Sequence, residues 1–539
     1  MARGTRLLLW GSILLLSLGL RLPLAFAGFP YLNYVDEGHV LHPTVALLES
    51  GSWDPEGYVY PSLPLYAIAG AVWAYSPVYS AVHGHPLRED LSESPPKLYD
   101  LVAPAELVLI GRLVALAFGL GVVVMTGLLA RRLAGETAGL FAALAAAVAP
   151  ALVIRGGAVT VDPFTTFFTV AALYFAEGAA RGDRPWRDSV LAGLMTGCAL
   201  TSKYTGLLVC LPVAVALLRV PGSWRPKARA VELAALASLA AAAVTMPALV
   251  LKTQKVLESL ARHATGYQAV TMGSYWEQAV KRAEWDHPFE HPELGWPFLI
   301  CAVLGWIVAV RDPRTRGPLA AWTVYAGVML ALFTSFSARP FRNLLPLVPL
   351  ACVLIGLLLA RLPMRPLAAV VLLALFLPAE IAYARERAGL VDSRVETVEW
   401  LARHRRPDEP VLFAAELAVL PGGLPGKTLV MPQNQAIPRL ARRRDVRFVV
   451  TGIFRENDLR AALDAGRTRA RYVQVASFGE KPGTGIWRGN RQRVFIYRRT
   501  ARNPAIPSEA SPRIKPNRNP GGANVRSTRP TPSGTITPR

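Results

Sequence analysis

Asp36 and Glu37 stand side by side in NYVDEGHVLHP (33–43), directly after a long apolar N-terminal segment. A carboxylate at the mouth of an apolar helix costs little if it faces water, so the plain reading is the solvated start of a loop. The reading with chemistry is a general base, or a pair that coordinates a cation, at a site opening toward the outer leaflet. Asp162 is a second acid at the edge of an apolar run, in GGAVTVDPF, where the competing role is a helix N-cap before Pro163. Lys203 lies in TSKYTG, wedged between two apolar runs. A lysine there either snorkels to the interface or holds something anionic. Arg342, in SARPFRNLLPLVPL, starts another run, with Arg339 one helical turn before it. Acids and several cations on one face suit a reaction that needs a base and a clamp for phosphate. His39 and His42, with His287 and His291 in DHPFEHP, are the residue type that a divalent metal ion accepts. Pro288 and Pro292 interrupt any helix through the i, i+4 pair, and histidines in wet loops are ordinarily plain surface. Tyr204, next to Lys203, and Tyr66, in an aromatic stretch, join Asp162 as candidates for substrate binding.

The elements that position these residues follow from hydropathy. The chain has 539 residues, of which 52% are hydrophobic and 18% charged; soluble domains carry about 25% charge. Its mean hydropathy is +0.31. Apolar runs recur at 7–29, 109–130, 137–154, 161–180, 188–202, 205–219, 230–250, 296–310, 318–335, 343–360 and 367–383, which makes eleven candidate spans. Each is near the ~20 residues that cross a bilayer core. The N-terminal run resembles a signal peptide with cleavage near AFA, but the later spans alternate correctly only if it is retained. ARRLAGE, RGDRPWRD, RVPGSWRPKARA, RDPRTRG and RLPMRP fall in alternate short loops, and their basic character places them in the cytoplasm. The net charge of +22 is spread over those clusters and the tail, so it does not describe a nucleic-acid surface. Cys198, Cys210, Cys301 and Cys352 sit singly in apolar runs and read as small core residues.

The stretch PSLPLYAIAGAVWAYSPVYSAV (61–82) would invert every later loop if it were a span. Its prolines and aromatic rings fit a helix lying in the interface, inside a large first outer loop at 30–108. Residues 1–383 are then the transmembrane part. From 384 the pattern changes: runs at 410–415, 427–432, 446–452, 471–479 and 493–499, bounded by Gly, Pro or charge, read as strands. With helices at VETVEWLARHRRP and ENDLRAALDAG they form a small α/β domain over 384–500, outside the membrane. Residues 501–539 are basic and Pro-rich, and they have too little apolar surface to fold.

VDEGHV, YPSLPLY, the long run from Gly111 to Val153, VDPFTTFFTVAALYF, GLMTGCALTSKYTGLL and RNLLPLVPL occur in that order. Over roughly 10–360 the chain resembles the protein O-mannosyltransferase-like enzymes: glycosyltransferase family 39 and its bacterial relatives, polytopic membrane proteins of the C-type (GT-C) fold. The resemblance implies that Asp36 is the catalytic base and that 61–82 matches the family's PPL-bearing juxtamembrane helix, here written PSLPL. It matches Lys203 to a family lysine, and Arg342 to the arginine that precedes a YLLPLLP-like span. It implies a polyprenyl-phosphate sugar as donor and a hydroxyl as acceptor, on a protein, a glycolipid or a cell-wall polymer. The bias toward Ala, Arg, Gly and Leu fits a GC-rich bacterium, hence undecaprenyl phosphate as carrier and the inner membrane as location. The class that competes is a secondary transporter or flippase of an anionic or lipid-linked substrate. Such a protein is expected to show paired repeats and charges near the midplane, which this pattern lacks.

Overall fold

The structure is a computed structural model that describes residues 2–32, 35–92, 102, 104–182, 184–269, 294–337, 340–389, 392–414, 428–431, 446–452, 471–478 and 494–500. Its helices are α1 (Arg3–Phe26), α2 (Val35–Ser50), α3 (Leu63–His83), α4 (Leu87–Ser92), α5 (Glu106–Ala134), α6 (Glu136–Val148), α7 (Pro150–Arg155), α8 (Asp162–Arg181) and α9 (Pro185–Ser202). They continue as α10 (Cys210–Leu217), α11 (Trp224–Thr245), α12 (Ala248–Leu251), α13 (Thr253–Ala269), α14 (Trp296–Arg311), α15 (Pro313–Thr334), α16 (Val348–Leu359), α17 (Arg365–Ala388) and α18 (Ser393–His404). Tight 3₁₀ turns at Tyr204–Val209 and Phe341–Leu347 lead into α10 and α16. The chain is a polytopic α-helical membrane protein with a small C-terminal sheet.

Each expected span contains a helix, but length and composition alone qualify six of the described helices to cross a membrane, those beginning at Arg3, Glu106, Trp224, Pro313, Phe341 and Arg365. The remainder are shorter or broken. Pro150 ends the helical run of α6, and a 3₁₀ turn replaces the first turns of α10. Helix breaks at membrane depth leave carbonyls that water cannot reach, so other groups must satisfy them. Two buried arginines do this. Arg21 donates to the carbonyls of Ala146 (3.0 Å), Ala147 (2.7 Å) and Leu152 (3.2 Å), across the α6–α7 break. Arg112, on α5, donates to the carbonyls of Ala25 (3.2 Å), Ala27 (3.0 Å) and Tyr31 (2.9 Å), where α1 ends. Gly193 and Gly197 of α9 have no room for a β-carbon because the Ala234 and Ser238 carbonyls of α11 lie against them. That close approach is the small-residue packing that lipid-embedded helices use in place of a hydrophobic drive.

Antiparallel hairpins sort the charged residues to two ends of the bundle. At one end Glu136 meets Arg131 (2.8 Å) and the Trp10 indole N–H (2.9 Å), Glu177 takes Arg219 with both oxygens, and Asp188 pairs with Arg132. The other end carries the start of α5, the start of α8 and the end of α9, and with them the candidate site.

The expected first outer loop contains three helices, of which α4 is a short one of six residues. One is α3, within a residue or two of the stretch read as interfacial; Trp73, Val78 and Val82 are exposed along it. Another is α2, which the sequence pattern did not announce. The stretch between the spans ending at 250 and starting at 296 contains a fourth, α13. In the C-terminal part all five expected strands are present: β1 (Val411–Ala414), β2 (Thr428–Met431), β3 (Phe448–Gly452), β4 (Arg471–Phe478) and β5 (Val494–Thr500). Their order is β2-β1-β3-β5-β4, with β1 parallel to β2 and β3 and β5 antiparallel to β3 and β4. Leu401 of α18 packs on Val411, Phe413, Phe448 and Val450. The helix expected at ENDLRAALDAG and the basic tail lie outside the described residues.

Candidate active site

The site begins with the first turn of α2. Asp36 and Glu37 both lie there, where the exposed backbone N–H groups of a helix start favour negative charge. Adjacent residues on a helix point about 100° apart, so the two carboxylates part company at once. Glu37 is fully buried and takes Arg112 in a two-pronged pair, Nε to Oε1 at 2.9 Å and Nη2 to Oε2 at 2.9 Å. The Val159 backbone N–H donates to Oε1 as well, at 3.1 Å. Because Arg112 also caps the end of α1, this knot fixes where α2 starts. Asp36 turns the other way and pairs with the Arg342 guanidinium. Its residue is 5% exposed, so the pair is largely shut off from bulk water.

Arg342 belongs to the 3₁₀ turn Phe341–Leu347, which the chain enters through Pro340. The next residue, Asn343, is 1% exposed and reaches a second ion pair. Its Oδ1 accepts from Lys203 Nζ at 2.9 Å, and the same ammonium lies 2.8 Å from Asp162 Oδ1. Lys203 is extended (φ −153°, ψ 133°) where α9 stops, and Asp162 opens α8. The helix-capping role weighed for Asp162 is not seen: Val161 holds the cap position and no side-chain cap bond forms there. The structure thus places two polar groups, Asp36–Arg342 and Asn343–Lys203–Asp162, next to each other along the chain, because Arg342 and Asn343 are consecutive residues. Two acids and two cations from α2, α8, the end of α9 and one 3₁₀ turn meet there, with no net charge among the four.

The remaining candidates fall around this row. The Tyr204 hydroxyl donates to the Tyr58 carbonyl (2.9 Å), tying the end of α9 to the first outer loop. The Tyr66 hydroxyl donates to the Trp53 carbonyl (2.5 Å), and the two rings meet edge to face, so Tyr66 braces that loop. His39, one turn after Asp36, stands edge-on to Tyr60, whose ring also meets His263 of α13 at 6.1 Å. Burial pushes the His263 imidazole below its ordinary value; the Asp36 charge acts the other way, and Lys203, His39 and Arg342 push it down further. Arg339, His287 and His291 lie outside the described residues. Among the described residues no three His, Cys, Asp or Glu side chains converge to hold a metal ion. With Glu37 taken by Arg112, the adjacent acids do not face one cation together.

Three participants escaped the sequence reading. Arg112 lies 75 positions from Glu37. Asn343 reads as an ordinary polar residue at a span boundary. His263 sits in a stretch read as loop, although Val256, Leu260 and His263 recur there at helical spacing.

Residues 108–251, which include Asp162 and Lys203, match the family model described as dolichyl-phosphate-mannose-protein mannosyltransferase. No curated protein matches the chain in sequence. Among solved structures, ArnT from Cupriavidus metallidurans in the apo state is 15% identical, with a TM-score of 0.57 over 92% of this chain and 98% of that one. The same protein bound to undecaprenyl phosphate is 15% identical with a TM-score of 0.54 over the same shares. The apo oligosaccharyltransferase of Archaeoglobus fulgidus is 14% identical with a TM-score of 0.49, over 90% of this chain and 75% of that one. At these identities the likeness to ArnT speaks for the fold.

Proposed function

The chain is a relative of the polytopic membrane glycosyltransferases of the C-type fold, and from that premise we propose that it moves a sugar from a polyprenyl-phosphate donor to a hydroxyl acceptor at the extracytoplasmic face. The observation that carries this reading is the row Asp36–Arg342–Asn343–Lys203–Asp162. A carboxylate and two cations at the end of the bundle where the arginine-poor loops lie support a base and a phosphate clamp there. The polyprenyl chain of such a donor would lie among the apolar helices, with its phosphate at the depth of the row. The solved ArnT complex contains undecaprenyl phosphate, which favours that carrier for this chain too.

In the reaction the acceptor oxygen attacks the anomeric carbon, and its proton passes to the Asp36 carboxylate. The bond from the anomeric carbon to the phosphate oxygen breaks, and its electron pair leaves with the polyprenyl phosphate. Arg342 and Lys203 hold that leaving anion, so a nucleotide is not required. Asp162 keeps Lys203 aimed. Glu37 acts through Arg112, as an anchor for the turn that carries Asp36. The alternation of arginine clusters supports an N-terminus inside and the 384–500 domain outside a bacterial inner membrane.

The test is turnover of an undecaprenyl-phosphate-linked sugar by the purified chain in liposomes, set beside a transport assay in the same vesicles. Release of undecaprenyl phosphate with sugar on an acceptor supports the reading. Movement of the intact lipid-linked sugar without cleavage would make the chain a flippase.

A further inference from the structure

The row holds its own anions. Arg342 is engaged by Asp36 and Lys203 by Asp162, so both cations assigned to the donor phosphate are already neutralised by carboxylates. Asn343 carries a further sign. Lys203 has only hydrogens to offer, so the Asn343 oxygen must face it, and this fixes where the amide nitrogen lies. That Nδ2 is buried and has no hydrogen-bond partner among the described residues. A buried amide donor left unmatched is costly, and an arriving acceptor recovers that cost. The unmatched donor adjoins Arg342 in the chain and Lys203 in space, where an anion shared by the two cations would meet it.

Resting on the donor reading of this site, we propose that Asp36 stands in for the donor phosphate until the donor arrives, and that the phosphate takes over Arg342, gains the Asn343 amide and so releases Asp36 to act as base. The physical reason is charge. Arg342 is mostly buried, and a buried cation gives up its carboxylate only to another anion. A neutral hydroxyl acceptor cannot provide that, whereas a phosphodiester can. While paired, Asp36 has its oxygen committed to a guanidinium and is not available to the acceptor hydroxyl. Once the phosphate holds Arg342, the carboxylate is free to meet the acceptor hydroxyl beside the anomeric carbon. Binding is therefore ordered, donor first, and the base is kept from water and acceptor until there is a sugar to transfer.

The consequence is opposite to that of an ordinary binding residue. Removing the Asp36 charge should strengthen phosphate binding, because Arg342 no longer has to be won from a competitor. The probe is undecaprenyl phosphate without sugar, titrated against the purified full-length chain in nanodiscs. Asp36→Asn is expected to bind it about tenfold tighter than wild type. In an Arg342→Gln background the same change should have no effect, since the competitor and its prize are removed together. Asn343→Asp keeps the oxygen facing Lys203 but replaces the amide donor with a negative charge, and binding should weaken tenfold or more. Inorganic phosphate at the same concentrations should not compete, because the prenyl chain supplies the remaining affinity. Equal or weaker binding by Asp36→Asn overturns the hand-over, as does tightening that persists without Arg342. Unaltered binding by Asn343→Asp removes the amide from the site. Competition by inorganic phosphate overturns the lipid source of the anion. Wild-type protein that does not bind undecaprenyl phosphate at all contradicts the donor reading beneath the proposal, which is a different failure.

Discussion

Glu37→Gln separates the two neighbouring acids. The change keeps the side chain's shape and removes its charge from a position with no exposure. It ends a two-pronged pair with Arg112, both contacts at 2.9 Å, while an amide oxygen can still accept from the Val159 N–H. Breaking a buried ion pair from one side costs about 3–5 kcal/mol, because the partner charge stays behind. Arg112 keeps the carbonyls of Ala25, Ala27 and Tyr31, so the lower end of that range applies, roughly a hundredfold in the folding equilibrium. Thermal unfolding of the purified protein in detergent should show a clear drop in midpoint. Turnover per folded molecule should fall far less than in Asp36→Asn, since Glu37 acts through the placement of α2. A variant as stable as wild type would refute the anchoring argument. A stable variant without turnover would return Glu37 to the chemistry, as its place beside Asp36 first suggested.

Lys203→Ala and Arg342→Ala should each weaken undecaprenyl-phosphate binding by one to two decades, the size of a charge-assisted contact of about 1.5–3 kcal/mol, as read by titration in nanodiscs; unchanged affinity in both makes them interfacial anchors. His263 has its value lowered by burial, so between that value and about 6.5 the unfolded chain binds more protons than the folded one. Its contribution to stability is therefore complete above about pH 6.5 and is lost as pH falls through the folded value. The unfolding midpoint should decline on acidification, and His263→Gln should flatten that part of the profile. Single cysteines near Glu136 or Arg314 should resist an impermeant thiol reagent in intact cells, whereas one in the 384–500 domain should react; the reverse pattern inverts the topology.

Much of this arrangement was legible in the sequence because it depends on local pattern. Strand runs bounded by Gly, Pro or charge located all five strands, and apolar length located the helical runs. Asp36, Asp162, Lys203 and Arg342 were found because each interrupts hydropathy at a span end, where an ionisable side chain needs a reason to be. Pairing was not legible. Which acid meets which cation depends on how hairpins stack, and 140 positions separate Lys203 from Asn343. Adjacency in sequence did not tell that Glu37 meets Arg112 while Asp36 meets Arg342, because neighbours on a helix face apart. Helix α2 escaped because Pro43 and a scatter of polar residues blur its periodicity, and α13 because it lies beyond the last apolar residue of a span.

The central claim is that Asp36 takes the acceptor's proton, and the direct measurement is single-turnover transfer from an undecaprenyl-phosphate-linked sugar by Asp36→Asn in liposomes. A positioned base contributes on the order of 10²–10⁴ in rate. The expected result is a fall of that size with undecaprenyl phosphate still bound at least as tightly as by wild type. An Asp36→Asn protein that keeps most of the wild-type rate contradicts it and makes Asp162 the next candidate for the base.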